Sequence, residues 1–290
     1  MKIIDCTTYY SEDLMLDIRL NILNEYVDKF IIVESKFSHS GEKKSLNFNI
    51  NNFSKFKDKI EYLIIEDEPE GIMENKNNNR SIKRMNSLLR IEQSYNFISN
   101  ALIDVSDNDL ICLSDNDEIP NFESINFKNS RNDIFIFKQL FFYYKFNLFY
   151  DLMPWFGTKA CKKKKLISLS WLRNLKNKKY PWWRLDTYFS KNKQINLQIV
   201  NDGGWHFTNI KTAEQIKFKL ESYLHHIEFD QKPLSTSEIS EIIKNKTAIY
   251  NLSVDQRENK VGGDKLEKYP MHKLPKYLQD NFKKYKEWID

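Results

Sequence analysis

The first 120 residues alternate between short apolar runs and segments with helical periodicity, and this alternation constrains the fold more than any other feature. The runs at residues 2–7, 30–33, 60–65 and 110–113 have the length of buried strands. A leucine-rich helical pattern, with Ser11 as the expected N-cap, follows the first run, and residues 80–102 have the length and apolar spacing of a long helix. Further helices are predicted from Thr212 to about His226 and near Ser237 to Tyr250. We therefore predict an α/β fold in which helices cover a largely parallel sheet.

Acidic side chains follow three of these predicted strands. Glu34, Glu66 and Asp115 each come just beyond an apolar run. Ligands of open α/β sheets bind in the crevice outside the carboxyl ends of the strands. We therefore expect these acidic groups to collect on one rim of the sheet and to mark the ligand site.

The densest acidic cluster is Asp115-Asn116-Asp117-Glu118, directly after the fourth predicted strand. Three carboxylates within four residues repel one another and raise one another's pKa unless a cation joins them. Their oxygens are the hard ligands that Mg²⁺ or Mn²⁺ prefers, and such an ion can bridge two phosphates of a nucleotide diphosphate. The alternative is a solvated turn, because Asp, Asn and Pro all favour turns.

His206 is a second candidate metal ligand, because it follows Gly203, Gly204 and Trp205. Glycines allow the backbone to approach a ligand closely, and an imidazole nitrogen can complete a Mn²⁺ site that carboxylates begin. The alternative is a histidine that is packed and hydrogen-bonded between its two aromatic neighbours. On residue type alone, that alternative is the stronger one.

The segment Lys159–Arg184 is basic, rich in tryptophan and free of acidic residues. It can bind donor phosphates or an anionic acceptor, rest on an anionic membrane surface, or form a solvated basic loop. Trp155, Trp182, Trp183 and Trp205 are candidates for an acceptor platform, although large aromatic side chains more often lie in the core. The net charge of +5 does not decide among these partners, and no nucleic-acid-binding module is recognisable.

Several classes of protein lack their signatures here. The sequence contains no G-x-G-x-x-G, Walker-type loop, G-x-S-x-G elbow or H-E-x-x-H site. Cys6, Cys112 and Cys161 have no zinc-ribbon or disulfide-framework spacing, so we expect reduced cysteines. With neither a signal peptide nor about 18 consecutive apolar residues, we predict a cytoplasmic protein, with peripheral membrane contact through Lys159–Arg184 as one option.

Two motifs, residues 115–120 (DNDEIP) and 204–207 (GWHF), make the sequence resemble glycosyltransferase family 17. This is the family of the β-1,4-mannosyl-glycoprotein β-1,4-N-acetylglucosaminyltransferase. The likeness spans nearly the whole chain in the family's order. Its shorter segments are residues 4–7, 16–35, 41–43, 154–158, 219–228 and 276–278.

The resemblance implies a GT-A type, Rossmann-like fold that binds a nucleotide sugar, with a mixed sheet and a helical C-terminal extension. Residues 1–120 would form the donor-binding half, and residues 121–290 the acceptor-binding half and C-terminal helices of one continuous domain. The implied donor is a UDP-sugar, most simply UDP-GlcNAc, and the implied acceptor is a glycan. The implied reaction inverts the anomeric carbon and uses Mn²⁺ or Mg²⁺.

The family's functional roles transfer to matching residues of this chain. Asp117 would be the main metal ligand, and Asp115 would contact the metal through water or the donor ribose. His206 would be an additional metal ligand, and Glu34 would lie near the nucleoside end of the donor. The other predicted donor contacts are Lys43, Arg80, Arg84 and Trp205.

The sequence also departs from the family. Arg80 and Arg84 match its Arg-x-x-x-Arg helix start, but Asn78 and Ser81 replace the usual neighbouring Trp and Glu. The membrane anchor and stem of the animal members are not found. We therefore expect a bacterial or viral surface glycan as the acceptor instead of an N-glycan.

An inverting transfer needs a general base that takes the proton of the acceptor hydroxyl. Asp186 and Asp202 are the candidates, because both follow the donor half and lie near aromatic residues that can stack on a sugar; each can equally be a turn residue.

Another metal-dependent nucleotidyl or sugar transferase is an alternative function, although the triphosphate-gripping loop is missing. A non-catalytic glycan- or membrane-binding protein is the other alternative, and it would be indifferent to Mn²⁺ and EDTA.

Overall fold

The computed structural model describes residues 1–222, 233–249 and 263–290, which form an α/β structure. The strands are β1 (Ile3–Tyr9), β2 (Lys29–Ser35), β3 (Ile60–Ile65), β4 (Leu110–Ser114), β5 (Glu118–Pro120), β6 (Ile134–Tyr143), β7 (Leu148–Phe149), β8 (Trp155–Lys162), β9 (Leu197–Val200), β10 (Gly204–Thr208) and β11 (Glu267–Lys268). The α-helices are α1 (Asp13–Leu23), α2 (Arg80–Phe97), α3 (Leu169–Arg173), α4 (Ala213–Ser222), α5 (Thr236–Lys244) and α6 (Lys276–Asp280). The predicted α/β class and mixed sheet are confirmed.

The first four strands form a parallel sheet in the order β3–β2–β1–β4. The side chains of β1, β2 and β4 are buried almost continuously, whereas those of the edge strand β3 are mostly half-buried; in β2, for example, Phe30 to Glu34 are all buried. Such runs are expected where both faces of a parallel sheet are covered. Parallel pairing also brings the carboxyl ends of β1, β2 and β4 to the same edge, which is the rim that the sequence predicts for the ligand site.

The second half of the chain extends the same sheet with strands of both directions. β8 runs antiparallel between β4 and β6. The strands before and after residue 120 therefore belong to one continuous sheet. β6 then pairs in parallel with β9 and β10, and antiparallel with β7. The donor and acceptor roles predicted for the two halves stay predictions.

Alternating side chains of β6 enter two separate cores on opposite faces of the sheet. Phe135 and Phe137 pack with the residues of α1 in one core. Ile134 and Ile136 pack with Tyr95 at the end of α2 in the other. The helices are therefore fixed to the sheet through its two faces, and α2 presents its carboxyl end near the rim.

Helices dominate the carboxyl-terminal part, as predicted. α5 begins with a capping box in which Ser235 and Glu238 satisfy each other's backbone N–H groups. Tyr285 donates a hydrogen bond to Asp17 of α1 at 2.9 Å, which ties the C-terminal segment back to the first helix. The predicted extension of α4 to about His226 and the predicted end of the next helix near Tyr250 lie outside the described residues.

Two helix ends differ from the predictions. The predicted N-cap Ser11 is wrong, because α1 begins at Asp13 and the Ser11 N–H instead donates to Glu12 at 3.0 Å. The helix predicted to reach Leu102 ends as an α-helix at Phe97 and continues as a 3₁₀ turn over Ile98–Ala101. Such tightening is common at helix termini, and a periodicity pattern does not resolve it.

All three cysteines lie in the core. Cys6, Cys112 and Cys161 are buried and unpaired. Within the described ranges, no helix combines the length and the apolar character that crossing a membrane requires.

Candidate active site

The acidic residues 115–118 form the turn between β4 and β5 at the carboxyl edge of the parallel sheet. The Glu118 N–H closes the turn by donating to the Asp115 carbonyl at 3.0 Å. β10 pairs antiparallel with β5, which places His206 directly opposite Glu118. Sheet pairing therefore brings the two sequence motifs of the chain together at one rim.

A buried ion pair beneath the turn holds its backbone in place. Arg19 of α1 lies 2.5 Å from Asp5 of β1, and both side chains are almost completely buried. Arg19 also donates to the carbonyl oxygen of Glu118 at 2.5 Å. We did not predict this support, although an Asp within an apolar strand and an Arg within a leucine-rich helix were visible signals.

The carboxylate of Asp115 is occupied by protein donors. Tyr95 donates to its Oδ1 at 2.7 Å, and Arg173 donates to its Oδ2 at 2.6 Å. Burial lowers the pKa of Arg173, but the charges of Asp115 and Glu118 outweigh it and raise that pKa well above its ordinary value. Asp115 is therefore held by a permanent cation, and neither Tyr95 nor Arg173 was predicted as a site residue.

Glu118 is completely buried below Asp115. Its Oε1 accepts hydrogen bonds from the Trp155 indole at 2.8 Å and from Arg173 at 3.3 Å, and its Oε2 accepts from the Asp115 N–H at 3.0 Å. Burial raises the pKa of this carboxyl group. Because its carboxylate bonds the Trp155 indole, Arg173 and the backbone of Asp115, Glu118 organises the turn from below.

Asp117 projects on the opposite side of the turn from Arg173 and meets a different set of cations. Its Oδ1 lies 3.5 Å from Nε2 of His206, and its Oδ2 lies 3.5 Å from Nζ of Lys219 on α4. Burial raises the pKa of Asp117, but the charges of His206 and Lys219 outweigh burial and hold it well below its ordinary range. Asp117 is therefore ionised throughout the neutral pH range.

His206 combines the two interpretations that the sequence left open. Its ring packs against Trp155 at 4.3 Å and Phe141 at 4.7 Å, and these two rings also lie 5.1 Å from each other, so it is a packed core histidine. Its Nε2 nevertheless points at Asp117, and its buried Nδ1 has no hydrogen-bond partner among the described residues. The aromatic neighbours fix the plane of the ring without occupying the nitrogen that faces Asp117.

The donor set of the site fits a metal ion that is shared with a substrate. In the described part of the chain, no three His, Cys, Asp or Glu side chains converge as a ready metal site. Of the three predicted ligands, Asp117 and His206 lie together, whereas Asp115 faces Arg173. Mg²⁺ in nucleotide enzymes commonly uses one or two carboxylates, several waters and substrate phosphates, so one carboxylate and one imidazole suffice as the protein's share.

Glu34 lies at the same sheet edge, but its carboxylate is saturated by protein groups. It is completely buried and accepts hydrogen bonds from the Asn47 N–H at 2.9 Å, the Phe48 N–H at 3.0 Å and the Tyr62 hydroxyl at 2.8 Å. Lys44 adds a salt bridge. Glu34 thus fixes the loop after β2, and its predicted proximity to a nucleoside stays a prediction.

The predicted donor contacts Lys43, Arg80 and Arg84 are all exposed. Arg80 and Arg84 lie at the start of α2, whereas Tyr95 near its other end touches Asp115. At 1.5 Å per residue, the two arginines are roughly 22 and 16 Å along the helix from Tyr95. The described structure therefore does not bring them to the acidic turn.

Trp205 and the two candidate bases also lie away from Asp117. Trp205 precedes His206 in β10, so its side chain points to the opposite face, where it packs against the first core. Asp202 is exposed in the turn before β10, four positions before His206. Asp186 is half-buried and forms ion pairs with Arg184 at 2.7 Å and Lys193 at 2.6 Å, which hold its pKa well below the ordinary range.

The basic segment Lys159–Arg184 is not a uniform surface. Lys159 is buried and donates to the carbonyls of Arg173 and Leu175, both at 2.7 Å. Trp171 is also buried, whereas Trp182 and Trp183 are exposed. Lys159 and Trp171 are therefore not available to a contact surface, whereas Lys164 and Lys165 are exposed, and the predicted membrane contact of this segment stays a prediction.

A cleft of about 630 Å³ lies at the other end of the parallel strands. Its lining includes Lys2, Asp28, Lys59 and Asp109, which flank the amino ends of β1, β2, β3 and β4. Ligands of such sheets bind beyond the carboxyl ends, so this cleft is not the candidate site.

Solved structures with partial similarity have low sequence identity to this chain. HddC from Yersinia pseudotuberculosis is 11% identical, with 70% of this chain and 92% of that chain covered and a TM-score of 0.35. A putative glucose-1-phosphate thymidylyltransferase from Bacillus anthracis is 12% identical, with 70% and 87% covered and a TM-score of 0.35. The inositol-1-phosphate CTP transferase from T. maritima is 10% identical, with 81% and 98% covered and a TM-score of 0.36. TM-scores this low support no conclusion about activity.

Sequence comparison is more specific. No curated protein matches the sequence. The model of glycosyltransferase family 17, in contrast, matches residues 1–289. This match covers essentially the entire chain, including both motifs that meet at the rim; the protein therefore belongs to glycosyltransferase family 17 and is a glycosyltransferase.

Proposed function

We propose that the protein transfers a sugar, GlcNAc in the favoured case, from a UDP-sugar to a glycan hydroxyl, with inversion and with a divalent cation. The observation that carries this proposal is the pair formed by Asp117 and His206, 3.5 Å apart at the carboxyl edge of the parallel sheet. That edge is where open α/β sheets bind nucleotides. Family membership supplies the class of reaction.

Asp117 and His206 are the residues that would hold Mn²⁺ or Mg²⁺. Asp117 offers a carboxylate that is ionised at neutral pH, and His206 offers a nitrogen whose ring plane is fixed by Trp155. A bound ion would neutralise the diphosphate of the donor and stabilise the charge that develops as it leaves. Asp115, which Arg173 holds, then serves as an outer contact to water or to the donor ribose.

The protein's own cations can assist the leaving group. Lys219 lies 3.5 Å from Asp117, and Arg173 lies 2.6 Å from Asp115, so both side chains border the acidic turn. In the reaction, the acceptor oxygen forms a bond to C1 while the bond from C1 to the phosphate oxygen breaks. The electron pair of that bond leaves with UDP, whose added negative charge these cations would stabilise.

The acceptor hydroxyl must also lose a proton. Asp202 and Asp186 are the candidate bases, and the ion pairs of Asp186 favour Asp202. A carboxylate with a strongly depressed pKa is a weak base, because its affinity for a proton is low. Arg184 and Lys193 depress the pKa of Asp186 in this way.

A panel of UDP-sugars tests the proposal. We expect slow UDP release from one donor in the presence of Mn²⁺, loss of that release with EDTA, and an increase in Tm when UDP and Mn²⁺ are added together. Release that EDTA leaves unchanged would contradict the metal requirement. If no donor gives UDP release and none shifts the Tm, the UDP-sugar assignment is contradicted.

A further inference from the structure

A loop beyond the candidate site exposes an unusual concentration of large apolar side chains. Five of them fall within eight residues, and each is between 64% and 90% exposed. They are Trp182, Trp183, Leu185, Tyr188 and Phe189. Contiguous exposed apolar groups of this size mark contact surfaces, since single exposed hydrophobic residues are normally scattered.

The same loop is strongly basic. Residues 176–193 contain six cationic side chains and one acidic one, a net charge of +5 that equals that of the entire chain. The cationic residues are Lys176, Lys178, Lys179, Arg184, Lys191 and Lys193. Outside this loop the positive and negative charges of the protein therefore balance.

The loop is anchored at its base and held together within. The Trp171 indole donates to the Lys191 carbonyl at 2.7 Å, and the Lys176 N–H donates to the Asn192 carbonyl at 2.9 Å. Asp186 pairs with both Arg184 and Lys193 inside the loop. These contacts fold the loop back onto α3, where Tyr180 is buried, while Trp182, Trp183, Tyr188 and Phe189 stay outside.

We propose that residues 176–193, here named the aromatic–basic loop, dock on an anionic lipid bilayer surface. Trp and Tyr favour the boundary between headgroups and acyl chains, where their rings are buried and their polar atoms stay hydrated. Lys and Arg beside them attract anionic headgroups within about one Debye length of the surface. The combination of five apolar groups with a +5 charge matches such a surface in both respects.

A soluble glycan fits the loop less well. Sugar-binding sites are concave and combine aromatic faces with a few fixed polar groups. In the aromatic–basic loop, Asp186 is the one carboxylate and is already paired with two cations. Trp182, Trp183, Tyr188 and Phe189 are instead between 64% and 90% exposed, as expected for side chains that meet a flat surface.

Docking would also orient the candidate active site. Arg173, which holds Asp115, ends α3 only three positions before Lys176. An acceptor carried by a membrane lipid would then approach the protein on the side of this helix. Membrane binding itself does not depend on the proposed sugar transfer and can be tested without donor or acceptor.

Vesicle co-sedimentation tests the proposal with the full chain. Vesicles of equal parts phosphatidylglycerol and phosphatidylcholine are compared with vesicles of phosphatidylcholine alone. We expect binding to the mixed vesicles, with a blue shift of tryptophan emission, and at least about tenfold weaker binding to the neutral ones. Raised salt should weaken the binding, because it screens the lysines.

Two variants assign the binding to the loop. Trp182→Ser with Trp183→Ser, and separately Lys178→Glu with Lys179→Glu, should each weaken vesicle binding about tenfold or more. Phe282→Ser is the matched control, because Phe282 is also exposed and is followed by two lysines, and it should bind as the unmodified protein does. An unchanged Tm in each variant establishes that the fold is kept.

Three results would overturn the proposal. The unmodified protein could fail to bind the mixed vesicles, or both loop variants could bind them as tightly as the control does. The tryptophan variant could also lose transfer to a water-soluble acceptor while it keeps its vesicle binding. That last outcome would assign the loop to glycan recognition.

Discussion

Nη2 of Arg173 lies 2.6 Å from Oδ2 of Asp115 and 3.3 Å from Oε1 of Glu118. One guanidinium nitrogen thus relieves the repulsion between two of the three carboxylates in the acidic turn. Asp117, the third, faces His206 and Lys219 on the other side. Arg173 therefore serves Asp115 and Glu118 together, and Asp117 is the carboxylate that we propose as the metal ligand.

Arg173→Ala should destabilise the fold. The change leaves Glu118 completely buried without a cationic partner, and removing one member of a buried pair typically costs about 3–5 kcal/mol. Since Arg173 is partly exposed, we expect about 3 kcal/mol less unfolding free energy, measured by urea denaturation. Arg131→Ala, at an exposed arginine, is the control and should change it by less than about 0.5 kcal/mol. Equal stabilities of the two variants would contradict the role of Arg173.

Gly157→Ala should disturb the turn from below. A Cβ atom at this position would lie 2.5 Å from both Oε1 of Gln139 and Cδ of Glu118. Overpacking of this kind costs about 1–3 kcal/mol, because neither buried neighbour can move freely. The expected results are a lower urea midpoint and altered Trp155 emission, since the Trp155 indole donates to Glu118. A variant as stable as the original would show that Glu118 is free to shift.

Lys159 should make stability depend on pH. Burial is the largest cause that lowers its pKa, from 10.5 to about 7 in the folded protein. Between these values the unfolded chain binds more protons than the folded one, so this contribution to stability rises with pH. The contribution of Lys159 to the free energy of unfolding is complete above about pH 10.5 and is lost as pH falls towards 7. The free energy of unfolding changes by at most about 1.4 kcal/mol per pH unit over this range.

Urea denaturation of the protein and of Lys159→Met, at a series of pH values from 7 to 10, isolates this contribution from other titrating groups. The difference in unfolding free energy between the two proteins should grow with pH in the direction that favours the original protein. A difference that is constant over this range would mean that Lys159 stays protonated in the folded state.

Asp202→Asn should lower transfer more than Asp186→Asn does. Asn tolerates the positive φ of 51° at position 202, so the substitution removes the base without straining the backbone. Loss of a general base typically costs about 10²–10⁴ in rate. Initial rates at saturating donor and acceptor measure this effect. A greater loss in Asp186→Asn would identify Asp186 as the base despite its ion pairs.

The sheet was predictable because each buried strand carries its own local pattern. β1 to β4 fall on the four apolar runs, and their parallel pairing follows from the alternation with helices. The position of the acidic turn at the carboxyl edge follows from the same reasoning. Periodicity thus indicates which element a residue belongs to and which face of it is buried.

The partners of the acidic turn could not be predicted in this way. Arg173 lies 58 positions from Asp115, and Arg19 lies 99 positions from the Glu118 carbonyl that it binds. Such contacts depend on how distant elements pack, about which local spacing carries no information. Lys159 was misassigned for the same reason, because the backbone carbonyls of Arg173, at the end of α3, and of Leu175, just after it, satisfy its buried ammonium group.

His206 illustrates a different limit. Its residue type allowed either a metal ligand or a packed histidine, and the two were treated as alternatives. The structure shows that they are compatible, since the ring packs against Phe141 and Trp155 while its Nε2 lies 3.5 Å from Oδ1 of Asp117. Its sequence context made it a candidate but favoured the packed histidine, and the likeness to a family is what favoured the metal ligand.

The most direct test of the account is donor turnover by Asp117→Asn compared with Asp104→Asn, an exposed carboxylate away from the rim. Both proteins are given the UDP-sugar that the unmodified protein accepts, with Mn²⁺, and UDP release is measured. We predict a loss of at least about 10²-fold in Asp117→Asn with the fold intact, and no loss in Asp104→Asn. Full turnover by Asp117→Asn would contradict the assignment of Asp117 as the metal-binding carboxylate.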